Sequence, residues 1–264
     1  MKKIFDFFIV ILRIIKSILR GPCYHFDKKK RNKILIIGNG PSYREFDFSK
    51  IDSDFDLMCV NLFPLKEKLF WKIKPRYLCI IDPGFLKRLK DIDGYMECLE
   101  NVTWKMDIIC PQGRTIIIKN NNISFIKLNM IYYGSPIMKC FFYKHNMANF
   151  GMHNVIHGAL FASINLNYQE IYLTGTDYSE IKNVRINSDN DFVILSEHGY
   201  EKNEFINLTK NGNYKKGEFY WFFYYNYKGL KSFVEANEYA EHRGSKIYNL
   251  VPNSYIDAFE KIEW

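Results

Sequence analysis

Strand-like and helix-like segments alternate along the chain and predict a doubly wound α/β domain with a mostly parallel sheet. Two observations carry this expectation. Four short apolar runs each stop at a single amide or carboxylate: Ile34-Leu35-Ile36-Ile37-Gly38-Asn39, Leu57-Met58-Cys59-Val60-Asn61, Tyr77-Leu78-Cys79-Ile80-Ile81-Asp82 and Glu170-Ile171-Tyr172-Leu173-Thr174-Gly175-Thr176-Asp177. The stretches between them are long enough for the crossovers that parallel strands need. In that arrangement Asn39, Asn61, Asp82 and Asp177 collect along one carboxyl edge, where open α/β sheets place their ligands.

The first run, residues 34 to 38, is rich in branched side chains suited to a strand covered on both faces. Gly38 and Gly40 flank Asn39, and glycines there can take backbone angles closed to other residues and let a ligand approach the main chain. Strands follow at 57–60 and 77–81, then a helix near 84–100 and a strand at 106–110. Residues 115–118 and 123–127 flank Asn120-Asn121-Asn122 and read as a hairpin. A helical stretch from His153 to about Asn165 leads to the strand at 170–174. Residues 179–217 are polar and without clean periodicity, as an active-site lid would be. A helix at 228–243, a strand at 246–250 and a helix at 254–262 complete the series.

At 264 residues, 47% of them hydrophobic, the chain can fill one substantial core, and no Pro/Gly/Ser-rich linker divides it. The formal charge of +8 suggests nucleic acid until it is located. Residues 1–33 hold ten Lys/Arg against Asp6 and Asp27, and the remaining 231 hold 27 of each sign. The body is neutral, which argues against a basic face for DNA or RNA. Residues 1–33 therefore form a basic arm, and residues 34–264 the domain proper.

The run from Ile4 to Leu19 is largely apolar but broken by Asp6, Arg13 and Lys16. As an amphipathic helix of about 30 Å it is too interrupted for the ~20 apolar residues a span needs. It reads as lying on a membrane, with Lys28-Lys29-Lys30-Arg31 adding attraction to anionic lipid. The expected place is peripheral, on the cytoplasmic face of the inner membrane. Gly21-Pro22-Cys23-Tyr24 makes a poor signal-peptide cleavage site. A helix packed on its own chain or on a partner subunit is the bland alternative.

The six cysteines show no paired spacing, so zinc and a disulfide framework are not expected. The acidic pairs Asp52/Asp54, Asp54/Asp56, Asp91/Asp93 and Asp189/Asp191 do not directly follow apolar strands, and no metal site is assigned. His198, in a polar loop after the Asp177 strand, has the chemistry of a general base, against the plain reading of an exposed loop histidine. His153 and His157 lack the Glu of a metalloprotease motif, since Asn154 follows His153. They suit packing, or contacts from a helix start to a phosphate. The run 219–227, Phe-Tyr-Trp-Phe-Phe-Tyr-Tyr-Asn-Tyr, is too aromatic for a solvated loop. Core packing or contact within a homo-oligomer is its first reading, and stacking on an acceptor sugar its second.

Ile36-Ile37-Gly38-Asn39-Gly40-Pro41-Ser42, Cys59-Val60-Asn61, Asp82-Pro83, Tyr168 to Asp177 and Pro252-Asn253-Ser254 occur in an order that resembles the bacterial sialyltransferases of glycosyltransferase family 42. The resemblance spans about residues 34–259. It implies a single GT-A-like, Rossmann-type domain, a CMP-activated nonulosonic acid as donor, and no metal cofactor. Gly38, Asn39, Gly40, Ser42, Asn61, Asn154 and Asp177 would then line the nucleotide side, with Asp82 standing where the family has an asparagine. Related O-antigen and capsule transferases carry Asp-x-Ser after this strand and a later His-x-Tyr. Asp177-Tyr178-Ser179 and His198-Gly199-Tyr200 resemble that pattern. By this resemblance His198 is the base, Tyr178, Tyr200 or a residue of the 219–227 run steadies the departing CMP, and the lid covers about 179–227. The expected activity is inverting transfer of sialic acid or a related sugar to a cell-surface glycan on a lipid carrier. A UDP-sugar transferase, a pterin pyrophosphokinase-like enzyme and a non-catalytic nucleotide-binding subunit are the alternatives.

Overall fold

The computed structural model describes residues 2–20, 24, 26, 31–66, 68–114, 116–196 and 204–264. The strands are β1 (Lys33–Ile37), β2 (Phe55–Val60), β3 (Tyr77–Cys79), β4 (Met106–Pro111), β5 (Ile123–Leu128), β6 (Glu170–Thr174), β7 (Val184–Ile186), β8 (Phe192–Ser196), β9 (Glu204–Asn207), β10 (Lys246–Asn249) and β11 (Glu260–Lys261). The helices are α1 (Lys2–Arg20), α2 (Phe63–Lys66), α3 (Lys68–Ile73), α4 (Pro83–Arg88), α5 (Tyr95–Glu100), α6 (Lys139–Lys144), α7 (Val155–Asn165) and α8 (Phe219–His242).

Eight strands form one sheet in the order β11-β10-β6-β1-β2-β3-β4-β5. Every pairing in it is parallel. Beginning at β1, the chain builds outward through β5 and then returns to the other side of β1 with β6, β10 and β11. The order therefore reverses between β1 and β6, a switch point with a crevice at its carboxyl ends. Covering on both faces explains the unbroken apolar strands. Ile34 and Ile36 enter the core shared with α7 and α8, whereas Leu35 and Ile37 enter the opposite core with Phe63, Phe70, Tyr95 and Leu99. All four β1 side chains are fully buried, each contributing about 1.5–3 kcal/mol of transfer free energy.

The asparagines at 120–122 do not turn a hairpin. Residues 116–118 form no strand, and β5 pairs parallel with β4. The Asn120 amide donates to the carbonyls of Leu99 (3.1 Å) and Val102 (2.8 Å), fastening this turn to the end of α5. The expected helix at 84–100 is two short ones. Asp82 caps α4 and Gly94, at φ 71°, opens α5. The helix expected at 228–243 begins at Phe219, so the aromatic run belongs to it.

Residues 254–262 form no helix, because their polar groups are bonded elsewhere. The Ser254 hydroxyl donates to the Thr176 carbonyl (2.6 Å), Tyr255 N–H donates to the Asp177 carbonyl (3.0 Å), and the chain ends in β11. The polar segment after Asp177 is more ordered than its pattern implied. It carries the antiparallel sheet β7-β8-β9, whose Phe192 and Ile194 pack on Phe222 of α8.

Helix α7 is buried on nearly all sides and lies on the sheet beside α8, with its first turn at the carboxyl edge. Among the described residues no helix is long and apolar enough to cross a membrane.

Candidate functional site

The close approach of two chain segments shapes the switch point. Gly38 N–H donates to Thr174 O and Gly40 N–H to Gly175 O, both at 2.8 Å. A Cβ on Gly38 would lie 2.2 Å from the Gly175 carbonyl oxygen, and one on Gly40 would lie 2.1 Å from Asp177 Oδ2. The glycines are thus required by contact between the β1 and β6 loops, and Gly40 itself has an ordinary φ of −67°. The special angles expected of this pair belong instead to Gly175, at φ +64°.

Asp177 is fixed above Gly40. Its Oδ2 accepts the Ser42 hydroxyl at 2.8 Å and the Ser42 N–H at 3.4 Å. A Gly40→Ala substitution should displace this carboxylate, costing about 1–3 kcal/mol of stability. Thermal melting and nucleotide titration of the variant check it. Retention of both wild-type melting and wild-type affinity would show that the close contact does not matter.

A cavity of about 450 Å³ opens over this edge, within the usual size of small-molecule sites. Asn39, Gly40, Asn61 and Asp177 form one wall, the α7 start with His153, Asn154 and Val155 another, and Tyr178, Tyr214, Tyr225 and Asn226 the lid side. Ile37 and Cys59 are register partners, so Asn39 and Asn61 each stand two residues beyond the same level of adjacent strands.

Their side-chain oxygens share a property rare in native proteins. Asn39 Oδ1 and Asn61 Oδ1 are buried, and neither has a hydrogen-bond partner. Leaving such an acceptor unsatisfied costs about 1–3 kcal/mol. Asn61 is also held in the left-handed region at φ 48°, with its N–H on Cys79 O and its carbonyl accepting the Tyr95 hydroxyl. Tyr178, at φ 54°, is a second cavity residue so held. Strain and unmet polarity concentrated in one cavity single it out as the candidate binding site.

Other groups set the electrostatics. Asn154 caps α7 by accepting the His157 N–H, while its own N–H donates to His157 Nδ1 at 3.1 Å. The Val155 end of α7 therefore presents a helix N-terminus to the cavity, which favours an anion. Burial lowers the His153 pKa, and Lys228 lowers it further. Burial pushes the Tyr178 phenol up to about 12, so at neutral pH it is a hydrogen-bond donor rather than a phenolate.

Asp82 is exposed and spends its carboxylate on the N–H groups of Gly84 and Phe85; it does not line the cavity. Gly38 and Ser42 are not among the lining residues, but the Ser42 hydroxyl donates to Asp177, which is. His198 and Tyr200 lie outside the described residues. Tyr214, Tyr225 and Asn226 fall within the expected lid, but the sequence singles out none of them. Only the aromatic run hinted at the last two, since folding brings α8 over the β1 edge from far along the chain.

Two acids of the short pairs are engaged elsewhere. Asp56 accepts from Arg31 and Tyr168, and Asp191 is paired with Lys210 and Lys216. Among the described residues no group of three or more His, Cys, Asp or Glu could hold a metal ion.

Fold and cavity together define a doubly wound α/β protein with a candidate ligand site at its switch point. No protein-family model matches the chain, nor does any curated protein. Among solved structures it is similar to the sialyltransferase CstII from Campylobacter jejuni in complex with CMP-3FNeuAc, at 20% identity over 87% of this chain and 86% of that one, with a TM-score of 0.49. It is also similar to the monofunctional alpha-2,3-sialyltransferase Cst-I from Campylobacter jejuni, at 15% identity over 89% of this chain and 81% of that one, with a TM-score of 0.47.

Proposed function

We propose that the protein is an inverting glycosyltransferase that moves sialic acid or a related nonulosonic acid from a CMP-activated donor to a cell-surface glycan. The carrying observation is the pair of buried, unpartnered oxygens on Asn39 and Asn61 in one cavity. Amide oxygens accept only, so the ligand must bring donors, such as ribose hydroxyls or the exocyclic amine of cytosine. The α7 N-terminus opposite them suits a phosphate, and Asp177 suits another ribose hydroxyl. The motif resemblance to the family 42 sialyltransferases supports the choice of CMP over other nucleotides.

In this reading the acceptor oxygen attacks the anomeric carbon on the face opposite the phosphate. The bond to the phosphate oxygen breaks with oxocarbenium character, and configuration inverts. His198 takes the acceptor hydroxyl's proton. Tyr178, a neutral phenol at working pH, donates to the departing phosphate, with Tyr200 as a further candidate. A nucleoside monophosphate leaves with less charge than a diphosphate, so no metal is required of this mechanism.

Thermal-shift titration with CMP, UDP and GDP tests the reading, because a ligand of the folded state raises the melting temperature by mass action. CMP is expected to give the largest shift, turnover of a CMP-sugar is expected to survive EDTA, and His198→Ala is expected to abolish it. Preference for UDP together with loss on chelation would instead favour a UDP-sugar transferase. Binding of CMP without turnover of any CMP-sugar would favour a non-catalytic subunit.

A further inference from the structure

Helix α1 has two apolar faces, and among the described residues one is packed on the domain while the other is exposed. On the inner face Ile14 is 3% exposed, Val10 and Ile11 pack against the core on the α7 side, and the Ser17 hydroxyl accepts from Asn129 Nδ2 at 3.0 Å. On the outer face Leu12, Ile15 and Leu19 are 64%, 47% and 81% exposed. At about 100° per residue these three fall within roughly 60° of one another, forming a stripe opposite Ile14 and Ser17. Arg13 and Lys16 are exposed between the two faces. The helix is therefore docked to its own domain and still presents an apolar stripe with a cationic flank.

We infer that this stripe seats in the headgroup region of an anionic bilayer, with Arg13 and Lys16 against lipid phosphates, while the inner face keeps α1 on the domain. Charge decides the occupant. Residues 1–33 carry the entire excess of +8, since the rest of the chain is balanced. A second copy laid against the stripe would bring two such arms together, whereas an anionic surface complements them. Apolar insertion and electrostatic attraction then act jointly, the combination that makes peripheral binding stable. The Ser17 contact is made to Asn129, directly after β5. The anchor therefore adjoins the carboxyl edge on which the cavity opens.

The inference is independent of the donor assigned above, and its test involves no nucleotide. The full-length protein is sedimented with vesicles of one-quarter phosphatidylglycerol in phosphatidylcholine, and with pure phosphatidylcholine. Binding to the anionic vesicles is expected, with partitioning at least about tenfold weaker on the neutral ones. L12S/I15S/L19S should lower partitioning on anionic vesicles by at least about tenfold while leaving the melting temperature and helicity little changed, because these three side chains are largely exposed. Arg13→Gln with Lys16→Gln, which leaves the apolar stripe intact, should weaken binding and reduce its salt sensitivity. Failure of the wild type to bind anionic vesicles, or equal binding by both variants, would overturn the inference. So would a wild-type dimer that the triple variant converts to monomer without vesicle binding by either.

Discussion

Replacing Asn39 by Ala and Asn61 by Gly together is expected to weaken CMP binding by about a hundredfold while leaving the ligand-free protein at least as stable as the wild type. Each amide oxygen would lose one hydrogen bond to the ligand, about 1–1.5 kcal/mol or roughly tenfold. The effect on the empty protein runs the other way. The buried oxygens bond to nothing in the fold, so removing them relieves a desolvation penalty. Glycine is the right replacement at 61, where φ is 48°. It removes the left-handed strain, and this gain roughly offsets the extra chain entropy glycine brings to the unfolded state. A net gain of about 1 kcal/mol would raise the melting temperature by about 2–4 °C. Paired melting and CMP titration separate the two roles. If the variant melts markedly lower and binds no worse, the asparagines serve the fold and the nucleotide assignment loses its main support.

This opposition between stability and binding also explains which parts of the site could be read from sequence. Ile34 to Ile37 announce a strand buried on both faces, because local chemistry alone dictates it. The polar residues that end β1, β2 and β6 follow from the same reading, and parallel register brings Asn39, Asn61 and Asp177 together. Asp82 looked equivalent in sequence, but its carboxylate is within reach of the Gly84 and Phe85 N–H groups and caps a helix instead. Asn120 was misread for a related reason. Its turn chemistry is real, but its amide bonds residues about twenty positions earlier, and no local pattern records that. The C-terminal segment failed as a helix because Ser254 and Tyr255 bond to the β6 loop. Tyr214, Tyr225 and Asn226 reach the cavity only through the packing of the lid on Phe222, a tertiary event.

Acid is expected to destabilise the protein through His157, with the loss beginning near pH 6.5. The ring is fully buried, stacked 4.1 Å from Phe233, with Nε2 2.9 Å from the Gly229 carbonyl. Asn154 N–H donates to Nδ1, so the neutral ring must carry its proton on Nε2 and give it to Gly229. A second proton would have to enter at Nδ1, against the Asn154 N–H, in a fully buried site. Burial accordingly lowers the pKa to about 3, and neighbouring His153 lowers it further, while the bond to Gly229 opposes the shift. The unfolded chain takes up the proton near 6.5, so below that pH it binds more protons than the folded state and stability falls with pH. The contribution is complete above about 6.5 and is lost progressively down to about 3. At pH 5 the loss is about 2 kcal/mol, or roughly 4–8 °C in melting temperature. Because His157 holds the cap of α7, the same protonation should loosen the helix start that faces the cavity. Urea unfolding at pH 7, 6 and 5 measures the slope, and His157→Gln should flatten it while lowering stability at pH 7 through the lost ring stack. A wild-type slope unchanged in that variant would assign the acid sensitivity to other groups.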